Sequence, residues 1–289
     1  MKARYYLLYR YLDFMNTKVT QLQTDVQGNL PLLQITDTHL FSDRNKDLLG
    51  IKTVQSFEAV IEHAAKYASE CRAVLSTGDL SQDHSAQSYI DFTNNIKKLA
   101  LPCYCIPGNH DLQSIMMPNL IEQGISQVKH IVSDFWQIIM LDSQVEGLVH
   151  GELVDAELEF LQQTLANNPD KHTLVCLHHH VLPVGSNWLD QHMLKNSERF
   201  LEIISPFNNV CAVLSGHVHQ MVDVYHNGVR FMTTPSTCVQ FKPSSYDFAV
   251  DNKAPGYRYL SLNQEGDIST HVERIESDKF IIDSDASGY

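Results

Sequence analysis

The sequence predicts an α/β fold in which buried strands alternate with helices, on three observations. Short unbroken apolar runs recur along the chain, longer stretches between them place apolar residues at helical spacing, and most runs stop at a Gly, Asp, Asn or His. An unbroken apolar run fits a strand covered on both faces, and a helix returning between two such strands makes a βα unit.

The first strand is Leu32 to Thr36, which ends in Asp37-Thr38-His39. Alternate residues of an extended segment share a face, so the Asp37 carboxylate and the His39 imidazole can grip one cation. Thr53 to Ser69 follows as a helix on the spacing of Val54, Phe57, Val60, Ile61, Ala64 and Ala68. Ala73 to Ser76 is the second strand and runs into Thr77-Gly78-Asp79. Gly78 permits a tight turn, and the two oxygens of Asp79 either bridge two cations or cap the turn that follows. Ser85 to Leu99 is a helix on Tyr89, Phe92, Ile96 and Leu99. It leads to a third strand, Cys103 to Ile106, which Pro107-Gly108 breaks into Asn109-His110-Asp111. In open α/β sheets, ligands bind at this edge.

Further along, Trp136 to Leu141 is a strand running into Asp142-Ser143, and Asp155 to Leu165 is a helix with Asp155 as its opening cap. Thr173 to Leu177 is a strand closed by His178-His179-His180. Three consecutive imidazoles are costly to bury without a metal or a hydrogen-bond partner. Val210 to Leu214 repeats the pattern before Ser215-Gly216-His217-Val218-His219. Two hairpins complete the chain: Met221 to Tyr225 with Val229 to Thr233 about an Asn227-Gly228 turn, and Tyr257 to Leu262 with Ile268 to Ile275. Residues 1–30 are expected to be a poorly ordered extension, 31–276 a single domain, and 277–289 an acidic, frayed tail.

Bulk composition narrows the function. The 289 residues carry 21 basic and 34 acidic side chains, a formal charge of -13, which argues against holding nucleic acid through its phosphates. A small anionic substrate remains compatible, since bound metal ions reverse the local sign. The six cysteines fall mostly inside apolar runs, the pattern of reduced thiols in a cytoplasmic protein. No apolar run reaches membrane-span length. Met1 to Phe14 is broken by Arg4, Arg10 and Asp13, which makes a poor signal peptide. The expected setting is the cytoplasm, as a monomer or homodimer without nucleic-acid or membrane partners.

The strand ends together offer Asp37, His39, Asp79, Asn109, His110, His178, His217 and His219. That exceeds the needs of one tetrahedral ion and includes no thiolate, and such oxygen and nitrogen donors suit iron, manganese or zinc. Two ions sharing Asp79 is the economical arrangement.

The ordered blocks Asp37-x-His39, Gly78-Asp79, Gly108-Asn109-His110-Asp111, His178 and Gly216-His217-x-His219 resemble the calcineurin-like metallophosphoesterase family. The resemblance implies a four-layer α-β-β-α sandwich, two mixed β-sheets flanked by helices. It also implies two divalent or mixed-valence metal ions, iron or manganese first and zinc as a further choice. One ion would be held by Asp37, His39, Asp79 and His219, the other by Asp79, Asn109, His178 and His217. His110 would be catalytic with Asp111 orienting it, and the substrate would lie against His39, Asp79, Asn109, His110, His178 and His219. Gln34 to Phe41, Gly78 to Asp83, the three-histidine run, Trp188 to His192 and Thr234 to Pro243 are further similar to bacterial class III 3′,5′-cyclic AMP phosphodiesterases. That similarity implies hydrolysis of cyclic AMP to 5′-AMP. Two cations about 3.5 to 4 Å apart generate a hydroxide nucleophile at neutral pH, and a proton donor, His110, assists the departing 3′ oxygen. His179 and His180 are read as packing behind the ligands. Trp188, His192, Thr237 and Cys238 either line the nucleoside side of the cleft or belong to an irregular segment covering it. A phosphodiesterase of broader specificity and a non-catalytic scaffold are the competing readings.

Overall fold

A computed structural model describes residues 18–276 and, beyond them, 280, 282, 283 and 288. In chain order the first half holds β1 (Val19–Gln21), β2 (Leu30–Ile35), β3 (Asp47–Leu48), β4 (Ile51–Lys52), α1 (Thr53–Ala64), β5 (Ala73–Ser76), α2 (Ala86–Ile96), β6 (Cys103–Cys105) and α3 (Gln113–Glu122). The second half holds β7 (His130–Val132), β8 (Trp136–Met140), α4 (Asp155–Asn167), β9 (His172–Cys176), α5 (Asn187–Asp190), α6 (Ser197–Ile204), β10 (Val210–Ser215), β11 (Val222–His226), β12 (Val229–Thr233), β13 (Gln240–Phe241), β14 (Val250–Asp251), β15 (Gly256–Leu262) and β16 (Ile268–Arg274).

The strands form a five-stranded sheet, β16-β15-β2-β5-β6, and a seven-stranded sheet, β1-β7-β8-β9-β10-β12-β11, each mixing parallel and antiparallel pairs. Strand alternation sorts the apolar residues into three layers of core. Leu33, Ile35 and Val74 pack outward on Phe57, Val60, Tyr89 and Phe92 of α1 and α2. Leu32 and Leu75 face inward onto Ile138, Leu174, Cys176, Ala212 and Leu214 of the other sheet. On the far side of that sheet Ile139, Val175 and Val213 meet Leu158, Leu161 and Phe200 of α4 and α6. The result is the four-layer α-β-β-α sandwich.

Register positions the site. Ile35 pairs with Ser76 and Ser76 with Cys105, so β2, β5 and β6 end level with one another. In the second sheet Cys176 pairs with Leu214, which brings β9 and β10 to a common end. All five strands run parallel to their neighbours within this set, so their carboxyl ends meet at one seam.

Several elements depart from expectation. The extension over 1–30 holds β1, paired in parallel with β7, and a buried Leu22, so ordered chain starts before residue 31; residues 1–17 lie outside those described. In the tail, Phe280 and Ile282 pack part-buried beside Phe41, Leu48 and Trp188, and the Asp283 N–H donates to the Leu49 carbonyl at 2.9 Å. Those two apolar side chains give the acidic tail something to bury. Ser85 caps α2 by accepting the Ser88 N–H at 3.1 Å. Asp155 does not cap α4, because Val154 occupies that position and Asp155 is already the first helical residue. Helix α3, which contains Pro118, was not foreseen, nor was α6.

Candidate metal centre

Three of the five turns at the seam, those after β2, β5 and β10, are strained in the same way. Asp37, His39, Asp79, His217 and His219 all hold positive φ, between 46° and 68°. Non-glycine residues in this left-handed region cost of order 1 kcal/mol each and persist where surrounding structure enforces them. Glycines make the approach feasible: a Cβ on Gly108 would stand 2.2 Å from Asp79 Oδ1, and one on Gly216 would stand 2.4 Å from Thr36 Oγ1. Ligand-bearing turns from the two sheets therefore touch backbone to side chain.

Hydrogen bonds fix which nitrogen of each imidazole faces inward. His39 Nδ1 meets Gln82 Oε1 at 2.7 Å, His219 Nδ1 meets the Val239 carbonyl at 2.9 Å, and His178 Nδ1 meets the Thr77 carbonyl at 2.7 Å. Oxygens of these kinds only accept, so each Nδ1 carries a proton and each Nε2 is the nitrogen turned into the cluster. His39 Nε2 and His219 Nε2 face each other at 3.1 Å. With the Asp79 and Asp37 carboxylates 3.7 and 3.5 Å from these nitrogens, the donor set fits a metal. His217 Nε2 is likewise buried with no hydrogen-bond partner, an omission that native interiors rarely tolerate without an ion or water.

The carboxylates complete the cluster. Asp79 Oδ2 lies 3.2 Å from His178 Nε2 and 3.7 Å from His39 Nε2, while its Oδ1 accepts the His110 N–H at 2.8 Å. One oxygen thus reaches toward imidazoles from both sheets. Asp37 Oδ1 lies 3.5 Å from His219 Nε2, and its oxygens accept the His217 N–H at 3.0 and 3.2 Å. Asn109 Oδ1 stands 3.1 Å from His178 Nε2. All the anticipated donors gather here: Asp37, His39 and His219 converge, as do Asp37, Asp79 and His178, and His217 adjoins His178.

Electrostatics agrees. Burial pushes His39 down to about 3 and His217 well below the ordinary imidazole value, leaving both neutral as metal ligands must be. Burial also lowers His178, but the Asp79 carboxylate more than reverses it, to about 9. Burial would raise Asp79, yet the surrounding imidazoles, His178 foremost, hold it well below the usual carboxylate range. In the metal-free protein this is an imidazolium–carboxylate pair whose proton a cation would displace.

His110 sits half-buried at the open rim, its ring edge-on to His39 with centroids 4.9 Å apart. Asp111 does not perform the orienting task expected of it. Its oxygens accept the N–H groups of Leu80, Ser81 and Gly108 at 2.9 to 3.2 Å, so the carboxylate ties the Asp79 turn to the Asn109 turn. Burial and the nearby Asp79 charge raise it to about 7. His179 has both nitrogens engaged, with Ser143 Oγ at 2.8 Å and the Val149 carbonyl at 3.1 Å, and His180 lies 3.5 Å from Asp190. His179 nonetheless groups with His178 and His217 as side chains able to hold an ion. Trp188 packs edge-on to Phe241, which stacks on His219 at 4.3 Å, and Cys238 is buried against the Asp37 carbonyl.

Three supporting groups escaped the sequence reading. Gln82 and Phe241 fall inside the Gly78 to Asp83 and Thr234 to Pro243 blocks without a role of their own, and Gln144, whose Nε2 donates to the carbonyls of Gly108 and Asp111 at 2.6 Å each, lies in a segment without pattern. A polar residue three positions after Asp79 was the one usable signal.

Residues 30–221 match the family model for calcineurin-like phosphoesterases. The chain belongs to the calcineurin-like phosphoesterase family. Among family relatives, the 3′,5′-cyclic adenosine monophosphate phosphodiesterase CpdA of Vibrio vulnificus is 47% identical over 271 residues, covering 93% of this chain and 99% of the relative. The protein of the same name from Escherichia coli K12 is 44% identical over 264 residues, covering 91% and 96%. The crystal structure of a dimetal phosphatase from Danio rerio shares the family fold with a TM-score of 0.60, at 12% identity, over 85% of this chain and 98% of that one. Members of the calcineurin-like family work through a dinuclear metal centre, and the seam cluster fits one. Among the described residues no helix is long and apolar enough to cross a membrane.

Proposed function

We propose that the chain hydrolyses 3′,5′-cyclic AMP to 5′-AMP at the seam, with Asp37, His39, Asp79 and His219 holding one ion and Asp79, Asn109, His178 and His217 the other. The observation that carries the chemistry is the pair of inward-turned nitrogens, His39 Nε2 and His219 Nε2, facing each other at 3.1 Å beside a carboxylate that reaches both sheets. When bound, the ions supply electrostatic stabilisation of the phosphate and an activated water. Iron or manganese suits the mixture of nitrogen and oxygen donors, with zinc as the further choice.

The residues do the rest. The Asp79 turn and the Gly108 turn, locked together by Asp111, hold His110 at the rim, where its ring donates a proton to the departing 3′ oxygen. The substrate would lie against His39, Asp79, Asn109, His110, His178 and His219. The choice of substrate leans on the two CpdA relatives, which match almost end to end. Six free cysteines and a charge of -13 support a cytoplasmic setting, as a monomer or homodimer that engages neither nucleic acid nor membrane.

The test is one panel: cyclic AMP, cyclic GMP, 2′,3′-cyclic AMP and a chromogenic diester, each with manganese, iron or chelator. Cyclic AMP is expected to be cleaved best, and chelator to abolish cleavage. Cyclic AMP turned over no faster than the chromogenic diester would leave only a phosphodiesterase of broad specificity.

A further inference from the structure

The metal ligands come from two sheets, and something must set how those sheets sit against each other. Apolar packing between them is tolerant of sliding, because dispersion contacts have no direction. A hydrogen bond does. In the inward-facing row of β2, where Leu30 and Leu32 pack on the opposite sheet, the next residue is Gln34, wholly buried.

Its amide is fully used. Gln34 Nε2 donates to Thr77 Oγ1 at 2.8 Å and to the Ser215 carbonyl at 3.1 Å, and Gln34 Oε1 accepts the Thr234 hydroxyl. Thr234 Oγ1 in turn accepts Arg258 Nε at 2.9 Å, and Arg258 Nη2 donates to the Thr233 carbonyl at 2.8 Å. Gln34, Thr77 and Arg258 belong to the five-stranded side, Ser215, Thr233 and Thr234 to the seven-stranded side. The chain of bonds therefore crosses between the sheets repeatedly, with donation running from Arg258 through Thr234 and Gln34 to Thr77 and Ser215. Arg258 is buried, its bonded partners here are neutral oxygens, and burial lowers it only to about 10, so it stays charged and polarises the chain.

The placement along the sequence is the decisive point. Gln34 stands three residues before Asp37, Thr77 two before Asp79, and Ser215 two before His217. We infer that Gln34, with Thr234 and Arg258, is a set of positioning residues that registers the two sheets and so holds the two halves of the metal centre at bonding distance. This rests on the seam being the metal centre, and not on which phosphodiester it cleaves.

Gln34→Met and Thr234→Val keep shape while removing the bonds; Thr234→Ser restores the hydroxyl. Chelator-treated proteins are titrated with Mn2+ by calorimetry, and the melting temperature of each metal-free form is recorded alongside. The expected result is Mn2+ affinity weakened about 10- to 100-fold in Gln34→Met and Thr234→Val, with recovery in Thr234→Ser. A merely structural role would lower the melting temperature and leave affinity in the folded protein untouched, and that result overturns the inference. Unfolding of both variants would overturn it too, the network then being needed for the fold as a whole. Parent protein that binds Mn2+ but leaves cyclic AMP intact would sink the proposed substrate and leave this inference standing.

Discussion

Replacing Gly216 with Ala would drive a methyl group into the join between the sheets. The added Cβ would stand 2.4 Å from Thr36 Oγ1 and 2.6 Å from Asp37 Oδ2, where ordinary contact begins at 3.4 Å. Neither oxygen can step aside cheaply: Thr36 Oγ1 donates to Asp37 Oδ2 at 2.6 Å, and Asp37 accepts the His217 N–H. The His217–His219 turn must therefore retreat from Asp37 by about 1 Å, a misplacement of the size that costs about 10²-fold in rate. Overpacking of this kind costs about 1–3 kcal/mol, a fall of about 5 °C in melting temperature for a domain of this size. Metal content by mass spectrometry, turnover at saturating metal and thermal melting measure the three effects. Gly124→Ala is the control. Its φ is also positive, at 78°, but nothing lies within 4 Å of the new Cβ, so stability falls slightly while metal content and turnover stay put. Parental metal content and turnover in Gly216→Ala would refute the claim that the seam geometry is set by close approach at this turn.

His110→Ala should retain both ions and lose about 10²- to 10⁴-fold in turnover, the usual share of a proton donor; loss of metal along with activity would make the ring a ligand instead. Gln82→Met removes the acceptor that orients His39 and should weaken metal binding about 10- to 100-fold while the metal-free melting temperature barely moves. A third test concerns Asp142, which burial and the neighbouring Glu157 raise to about 6 against the pull of Lys129. Its folded value lies above the unfolded one, so the folded state holds the proton more tightly, and this group's contribution is present at low pH and lost as pH rises through about 6. Asp142→Asn mimics the protonated form, so the parent's stability relative to the variant should decline between pH 4 and 7; a difference independent of pH would contradict this.

The clustered donors were legible because the sequence presents them in an unusual position, at the point where an apolar run ends, and a polar residue capable of binding a cation recurs at five such ends. The strands bearing them were legible for the same reason: Ala73–Ser76 falls where its apolar run places it. What was hidden has physical causes. The carbonyls of Thr77 and Val239 that orient two imidazoles are backbone atoms, identical at every residue. Edge strand β1 and its neighbour β7 are three residues each, too short for a period to register. Pro118 sits inside α3 where a sequence reader expects a break. Asp111 stands next to His110 in the chain, yet its carboxylate answers to the backbone of the preceding turn, because proximity along the polymer says little about where a side chain points.

His39 and His219 are 180 residues apart and reach each other only across the seam. A growing polypeptide that has passed Asp79 but not yet His219 owns an acidic half-cage with no opposite wall. Under the proposed ligand set, the cage that would hold the ions is complete only once the chain has reached the far sheet and both halves have docked.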